Sequence, residues 1–558
     1  MNPASSRSAR WIPRSLGIMV GVVGLFHLEV AIFPDQAHYL QGIDPWTPFH
    51  IHFGSRALLL ITGLSLMALG RGIARRKRAA WGLAVGALSA GPILSMGLDF
   101  SWKDAVGSAL PLILLFTSRR YFTARSDAGS LRFALRLSAA GAVILMIFGW
   151  IVMENFRVHL EGRDDALARL QAVAELIFLQ SSDTIIARTT EAQTALYAIS
   201  FAGAGTVLLV ILAALRPVLP PPRASVREIE KVRRIVQTHG RDPLDEFALS
   251  DDKRHFFTHD GQTVVAFALW RNFALTLADP IGPPEQRAAA IREFILYCDQ
   301  QDWEPVFYEV APDALDAYRN EGFITFKIGE GTTVDLTHYA LNGRKFQELR
   351  TARSRATREG LTLRWLLPGV PLEPALAAEL RAVSDGWLER KKGGEMAFDM
   401  GSFAEEEIEA RGAVLAQRTD GRVEAFATWL PYHGGQGRCI DLMRSRPEIP
   451  SVMDFVIVES LLAFQAQGLT EASLANAPLA NTDPPNAQES KHDKAVRYFY
   501  ERFNRLYGYK SLFHFKQKYH PEWRGRYLAY RHPPELPLIA CAMLAVHSPG
   551  GLWKLLRS

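Results

Sequence analysis

Apolar residues are distributed unevenly along the chain. Between Ser15 and Leu219 they gather into six runs, about 15–33, 51–70, 79–98, 104–118, 131–153 and 194–217. Most approach the ~20 residues that a helix needs to cross a ~30 Å hydrocarbon layer, the fourth falling short. No small-residue cleavage site follows the first run and a second run comes soon after, which argues against a signal peptide. Beyond a proline-rich linker, PVLPPPRAS (217–225), the pattern changes. A helix (VREIEKVRRIVQTHG), two strand-like runs (TVVAFALW, FALTLAD), a helix over Glu285–Gln301, a strand (PVFYEV), a short helix and two further strands (ITFKI, TTVDL) complete one unit. From Leu361 a similar order starts again: LTLRWLL, two helices, AVLAQRT, RVEAFATWL and GRCIDLM, the helix SVMDFVIVESLLAFQAQG, the strand EASLANA, a helix DKAVRYFYERFNRLYG and a closing strand SLFHFKQKY. The chain therefore reads as a multi-pass α-helical membrane domain (1–219) followed by two α/β (α+β) units, 220–360 and 361–558.

Charge orients the membrane part. Arg7, Arg10 and Arg14 precede the first run, Arg71, Arg75, Arg76, Lys77 and Arg78 follow the second, and Arg119, Arg120 and Arg125 follow the fourth. The loop after the first run has no lysine or arginine, and the loop after the third has one. The positive-inside rule then places both termini and everything after Arg223 in the cytoplasm. His27 and Glu29 within the first run fit either an ion path or the wet outer end of the span. The net charge of +5 over 558 residues is modest, so local clusters matter more than the sum.

One cluster is the helix Gly343–Glu359. Phe346, Leu349, Ala352 and Ala356 form its apolar stripe, while Arg344, Arg350, Arg353, Arg355 and Arg358 crowd the remainder, opposed only by Glu348 and Glu359. Such a surface suits a nucleic acid or an anionic lipid, or simply water. A second cluster follows the strand CIDLM. Arg444 and Arg446 lie between a strand end and a helix that Ser451 and Asp454 are spaced to cap, a place that favours anions. In the closing strand, alternation puts His514, Lys516 and Lys518 on one face.

Three well-separated cysteines supply neither a disulfide framework nor a thiolate metal site. P-loop, GxSxG, HExxH and CxxC patterns are absent, so neither metal nor cofactor is expected. The loop RSRPEIPS stands where GCN5-related acetyltransferases carry a glycine-rich loop for the pyrophosphate of coenzyme A. It has no glycine, and its prolines remove N–H donors. A transferred group must therefore arrive already activated.

The second half resembles the C-terminal domain of the phosphatidylglycerol lysyltransferase family, the multiple peptide resistance factors. The resemblance rests on KIGEGTTVDL (327–336), the basic helix, GGEMAFDMGSF (393–403), DLMRSRP (441–447) with MDF (453–455), NAPLA (476–480) and FHFKQKYHPEWRGRYLAY (513–530), in that order. It implies tandem GCN5-related acetyltransferase-like folds on an anchor in the bacterial inner membrane, and transfer of a lysyl or alanyl group from aminoacyl-tRNA to phosphatidylglycerol. The resulting less anionic bilayer would resist cationic antimicrobial peptides. A homo-oligomer is compatible with this reading. By motif position, Asp441, Arg444, Lys516 and Glu330 are the implied catalytic residues, with Lys327, Asp399, Arg446, Arg350 and Arg353 binding substrate. Asp399 stands where the family commonly has serine, and the RPEIPS loop departs from a glycine-bearing one. Two other readings fit the residues: tRNA-dependent transfer to another acceptor such as a peptidoglycan precursor, and a non-catalytic membrane protein binding anionic lipid or RNA.

Overall fold

The computed structural model describes residues 7–32, 56–85, 112–122, 124, 128–162, 165–177, 185–215, 224–390, 395–478 and 509–548. Residues 217–223 of the linker, the helix expected at 493–508 and Gly393–Gly394 lie outside them. The chain divides into two compact units, Met1–Pro220 with Asp299–Trp303, and Pro221–Cys298 with Glu304–Ser558.

The first unit is helical: α1 (Arg7–Ile32), α2 (Arg56–Ala74), α3 (Ala128–Asn155), α4 (Ala166–Ile177) and α5 (Thr190–Ala214), with a small ribbon of β1 (Leu160–Gly162) and β2 (Ile185–Ala187). Helices α1 and α2 pack through glycines. A Cβ on Gly17 would come within 2.4 Å of the Gly70 carbonyl, and one on Gly24 within 2.7 Å of the Gly63 carbonyl. Small residues allow the close backbone approach on which helix association in lipid depends. Among the described residues two helical stretches, Arg136–Asn155 and Thr190–Ala214, are long and apolar enough to span a bilayer. The first, second and third expected spans reach into undescribed residues, as does most of the fourth, and the side chains of His27 and Glu29 are also outside the description.

The second unit is built on one mixed sheet of eleven strands: β3 (Arg254–Phe257), β4 (Val264–Trp270), β5 (Phe273–Leu277), β6 (Glu304–Val310), β7 (Ile324–Asp335), β8 (Thr362–Leu366), β9 (Ala413–Gln417), β10 (Val423–Tyr432), β11 (Gly437–Ser445), β12 (Glu471–Pro478) and β13 (Glu522–Tyr530). Their spatial order is β3-β4-β5-β6-β13-β7-β12-β11-β10-β9-β8. Each flank is an antiparallel meander ending in a parallel pair, β5/β6 or β11/β12, joined by a crossover helix. This is the acetyltransferase-like arrangement expected from the sequence, made twice. The middle is exchanged: β7, from the first segment, pairs with β12 of the second, and β13, from the second, pairs with β6 of the first. Neither half can complete its sheet alone, so the two share one sheet.

Around the sheet lie α6 (Val226–His239), α7 (Arg287–Gln301), α8 (Leu315–Asn320), α9 (Gln347–Arg358), α10 (Pro374–Glu389), α11 (Glu405–Arg411), α12 (Val452–Ala466), α13 (Tyr509–Gln517) and α14 (Leu536–His547). The stripe Phe346, Leu349 and Ala356 is buried with Val456, Leu461, Phe464 and Trp429. Helix α14 covers the other flank, packing Leu536, Ile539 and Met543 on Leu275, Val306 and Leu528.

Three local expectations are corrected. The segment 509–517 is a helix, not a strand, and β13, farther on, takes the ladder position. The shared face of His514, Lys516 and Lys518 that alternation implied therefore does not exist. ITFKI and TTVDL form one strand. Helix α12 does begin at Val452, but Ser451 is in the left-handed region (φ 63°) and its side chain makes no cap. Asp454 is buried instead, accepting Lys518 Nζ at 2.6 Å on both oxygens and Tyr519 Oη at 2.7 Å.

Candidate functional site

Strands β11 and β12 run parallel but pair only over Gly437–Cys439 and Glu471–Ser473. Beyond those pairs they part. The parting is built into β12: Ala475 has φ 60°, and the register against β7 shifts between Ser473 and Asn476, a bulge. A left-handed alanine costs about 1–2 kcal/mol, and bulges of this kind re-aim groups beside sites. Hydrogen bonds hold the bulge: Thr332 Oγ1 donates to the Ala475 carbonyl (2.7 Å) and the Ala475 N–H donates to Ser473 Oγ (3.1 Å).

The gap opens into a cavity of about 150 Å³ with a mostly apolar lining that includes Met396, Met443, Leu474, Leu512, Ile539 and Met543. Asp441, two residues past the last β11 pair, reaches it. Its side chain is 4 % exposed, accepts the Gly401 N–H at 2.7 Å and lies 4.0 Å from Arg411. A Cβ on Gly401 would stand 2.5 Å from Asp441 Oδ2, which is why glycine occupies that position. Burial pushes the Asp441 carboxyl up against the opposing pull of the Gly401 N–H, Arg411 and Arg444.

Lys516 enters from α13, its Nζ donating to the Asn476 carbonyl at 2.6 Å. It is 2 % exposed, and burial draws its amine down to about 7. Glu330 lines the same space and is bound to Lys327 Nζ at 2.6 Å. Asp399 lies 3.3 Å from His547 on α14. Burial opposes the Asp399 charge, but His547 and Lys253 outweigh it and hold the carboxyl below its usual range.

The expected residues thus separate into two sets. Asp441, Lys516, Glu330 and Asp399 share the cavity. Arg444, three positions beyond Asp441 on the strand, stacks on Trp387 (4.0 Å) and faces Glu395 (3.3 Å) outside the lining. Arg446 donates to the Val423 carbonyl and to Glu379. Arg350 braces the loop before α9 through the Leu341 and Gly343 carbonyls (2.6 and 2.7 Å), and Arg353 pairs with Glu459. Lys327 is not in the lining and bonds Glu330, which is.

Residues 233–530, more than half of the chain, match the family described as phosphatidylglycerol lysyltransferase, C-terminal. The chain belongs to the phosphatidylglycerol lysyltransferase family. Residues 8–214 match a region described as the transmembrane region of lysyl-tRNA synthetase, in keeping with a membrane protein. A phosphatidylglycerol lysyltransferase of Bacillus subtilis (strain 168) is 28% identical over 533 residues, covering 94% of this chain and 58% of the relative. One from Staphylococcus aureus (strain COL) is 30% identical over 308 residues, covering 54% of this chain and 36% of the relative. The chain thus spans little more than half the length of these curated relatives, or less. The solved structure of L-PGS from Bacillus licheniformis superimposes with a TM-score of 0.51 at 30% identity, over 56% of this chain and 95% of that one.

Within this family member the sequence reading missed Glu309, Asn476, Arg526 and His547, all lining the cavity. Asn476 donates its amide to Glu309, and Arg526 forms a two-pronged pair with Asp242 (2.7 and 3.0 Å) and reaches the Glu309 carbonyl. Burial, with Asp399 nearby, raises the Glu309 carboxyl well above its ordinary value. A signal existed for two of them: Glu309 is the single acid inside the apolar strand PVFYEV, and Arg526 falls in the quoted RGRYLAY.

Arg526 also lines a second opening, of about 320 Å³, where β5 and β6 part. This one is polar, with Asp242, Asp245, Asp279, Arg287, Tyr432 and Glu471 in its wall. Burial and the neighbouring Asp242 raise Asp245 to about 8, and burial raises Asp279 to about 6.

Proposed function

We propose that the chain transfers an aminoacyl group, lysyl or alanyl, from aminoacyl-tRNA to the glycerol head group of phosphatidylglycerol, and that the β11/β12 cavity is where the transfer occurs. The observation that carries this reading is the joint burial of the Asp441 carboxylate and the Lys516 amine in one otherwise apolar cavity. The aminoacyl ester is already activated, so a lipid hydroxyl can attack it without nucleotide or coenzyme. Holding the two reactants together is worth on the order of 7–11 kcal/mol in well-oriented cases. Asp441, with its one close backbone donor, meets the donor ammonium, and Glu330 completes the acidic side of the cavity. The apolar lining accommodates the glycerol end of a lipid whose chains remain in the bilayer. The exposed Arg344, in the turn before α9, and Arg358, at its end, offer phosphate contacts to tRNA.

The organisation that goes with this reading is a membrane domain over 1–219, acetyltransferase-like segments over 220–360 and 361–558, and a cytoplasmic catalytic part with both termini on the same side. Its product is a less anionic lipid, which would weaken binding of cationic antimicrobial peptides. The test is transfer of labelled amino acid from preformed aminoacyl-tRNA to phosphatidylglycerol vesicles by the purified full chain. RNase treatment should abolish it and omission of phosphatidylglycerol should leave no labelled lipid. Transfer that survives RNase would sink the tRNA donor; tRNA-dependent labelling of a different acceptor would point to the peptidoglycan-type reading.

A further inference from the structure

The buried groups of the cavity differ in whether their charge is answered. Glu330 is neutralised by Lys327. Asp441 accepts a backbone N–H and faces Arg411. Asp399 has His547 against it. Glu309 takes the Asn476 amide and lies beside Arg526. Lys516 alone in this group has no counterion: among the described residues no carboxylate lies within ion-pair distance of its Nζ, and its hydrogen bond goes to a neutral carbonyl. An ammonium buried to 2 % exposure without a counterion is the costly form, and the free amine is the stable one.

The groups facing it from the surrounding elements do not change this. Cys439 on β11 is a buried thiol pushed up to about 12 and is uncharged at neutral pH. Glu309 on β6 is raised by burial, which weakens it as an anion. Asp399 is shared with His547 of α14 and Lys253. Glu330 of β7, Asp441 of β11 and Arg526 of β13 are committed as described, and His514 lies on the helix of Lys516 itself. One N–H of the amine is fixed on the Asn476 carbonyl, which the β12 bulge re-aims, and the nitrogen lone pair is left for a ligand in the cavity.

Resting on the transfer reaction proposed above, we infer that Lys516 is the general base of that reaction and then its general acid, rather than a fixed cation that binds phosphate. The lipid hydroxyl oxygen attacks the ester carbonyl carbon and forms the new C–O bond while its proton passes to Nζ. The tetrahedral oxyanion collapses, the bond to the ribose oxygen breaks, and the ammonium returns the same proton to that oxygen. No oxidant, metal or further reactant enters the balance.

The experiment is single-turnover transfer by the full chain in phosphatidylglycerol vesicles, from pH 6 to 8.5, corrected for spontaneous ester hydrolysis, with Lys516→Arg and Lys516→Ala beside the wild type. A base active as the free amine gives a wild-type rate that rises roughly tenfold per pH unit at low pH and levels off above the amine's pKa of about 7. Lys516→Arg keeps the cation and loses the base, so it should fall by at least ~10²-fold at every pH. Lys516→Ala should regain rate on addition of methylamine, in proportion to the free-base concentration. An arginine variant within ~10-fold of wild type, or a wild-type rate flat across this range, would overturn the assignment and leave the transfer reaction standing. A wild type that labels no lipid at any pH would overturn the underlying reaction, and the base with it.

Discussion

The two openings of the sheet share a geometry and one wall residue, Arg526, and differ in the character of the rest of their lining. Both lie where a parallel pair parts, and both are bordered by a left-handed residue in the second strand of the pair, Glu309 in β6 and Ala475 in β12. At β11/β12 the walls are methionine, leucine and isoleucine around a few buried charges; at β5/β6 they are acids and bases in near balance. A carboxylate or amine in the first has few polar neighbours: Asp441 has one close backbone donor and a guanidinium 4.0 Å away, and Lys516 a single neutral carbonyl. In the second, Asp242 pairs with Arg526, Asp313 with Arg287 and Glu471 with His433. The strand geometry supplies an opening, and the side chains around it determine whether that opening holds reactive groups or an ion-pair lattice.

The largest expected effect separates the openings by activity. Asp441→Asn should reduce transfer by ~10³-fold, in the upper range for loss of a single positioned group, whereas Asp279→Asn on the polar side should reduce it far less, measured as single-turnover rates on the same vesicles. Equal losses would erase the distinction. Next comes the residue common to both walls. Arg526→Leu leaves Asp242 and Glu309 without their guanidinium, and because the arginine side chain is 6 % exposed the loss should be about 3 kcal/mol, read by urea unfolding of the detergent-solubilised chain.

The polar side also predicts a pH dependence. Asp245 has a folded-state pKa of about 8 against an ordinary 3.8, so the folded state binds more protons and stability falls as pH rises between those values. Asp245→Asn retains an acceptor for the Arg241 and Asp242 N–H groups (2.8 and 2.9 Å). It should flatten that slope and stabilise the folded chain at pH 8. An unchanged slope would mean that Asp245 is not the group responsible. The smallest effect belongs to the exposed basic helix: Arg353→Ala breaks a pair whose arginine is 49 % exposed and should change stability by less than about 1 kcal/mol.

Much of this architecture was legible in the sequence, because the strands around Asp441 stand out as short apolar runs such as RVEAFATWL and EASLANA and the buried stripe Phe346, Leu349, Ala356 repeats at helical spacing. The closing segment was misread for a physical reason. FHFKQKY alternates at period two and is rich in aromatics, yet Leu512 and Lys516 are also four apart, and the helix wins because β13 fills the place between β6 and β7. The capping pattern at Ser451 and Asp454 failed because Lys518 and Tyr519, far along the chain, claim the Asp454 carboxylate. His547 was invisible for the same kind of reason: a histidine at the end of an apolar helix acquires meaning only when the fold brings Asp399 to it. The strand exchange had no local signal, since it concerns which half a strand pairs with and not whether it is a strand.

The most direct test of the claim that the β11/β12 cavity performs aminoacyl transfer to phosphatidylglycerol is mass spectrometry of lipids from a bacterial host expressing the full chain, beside Asp441→Ala at matched expression. A new aminoacylated phosphatidylglycerol in the wild type and not in the variant is the predicted result, and its mass names the amino acid. The same lipid at equal abundance in both would contradict the site, and its absence from both would contradict the reaction.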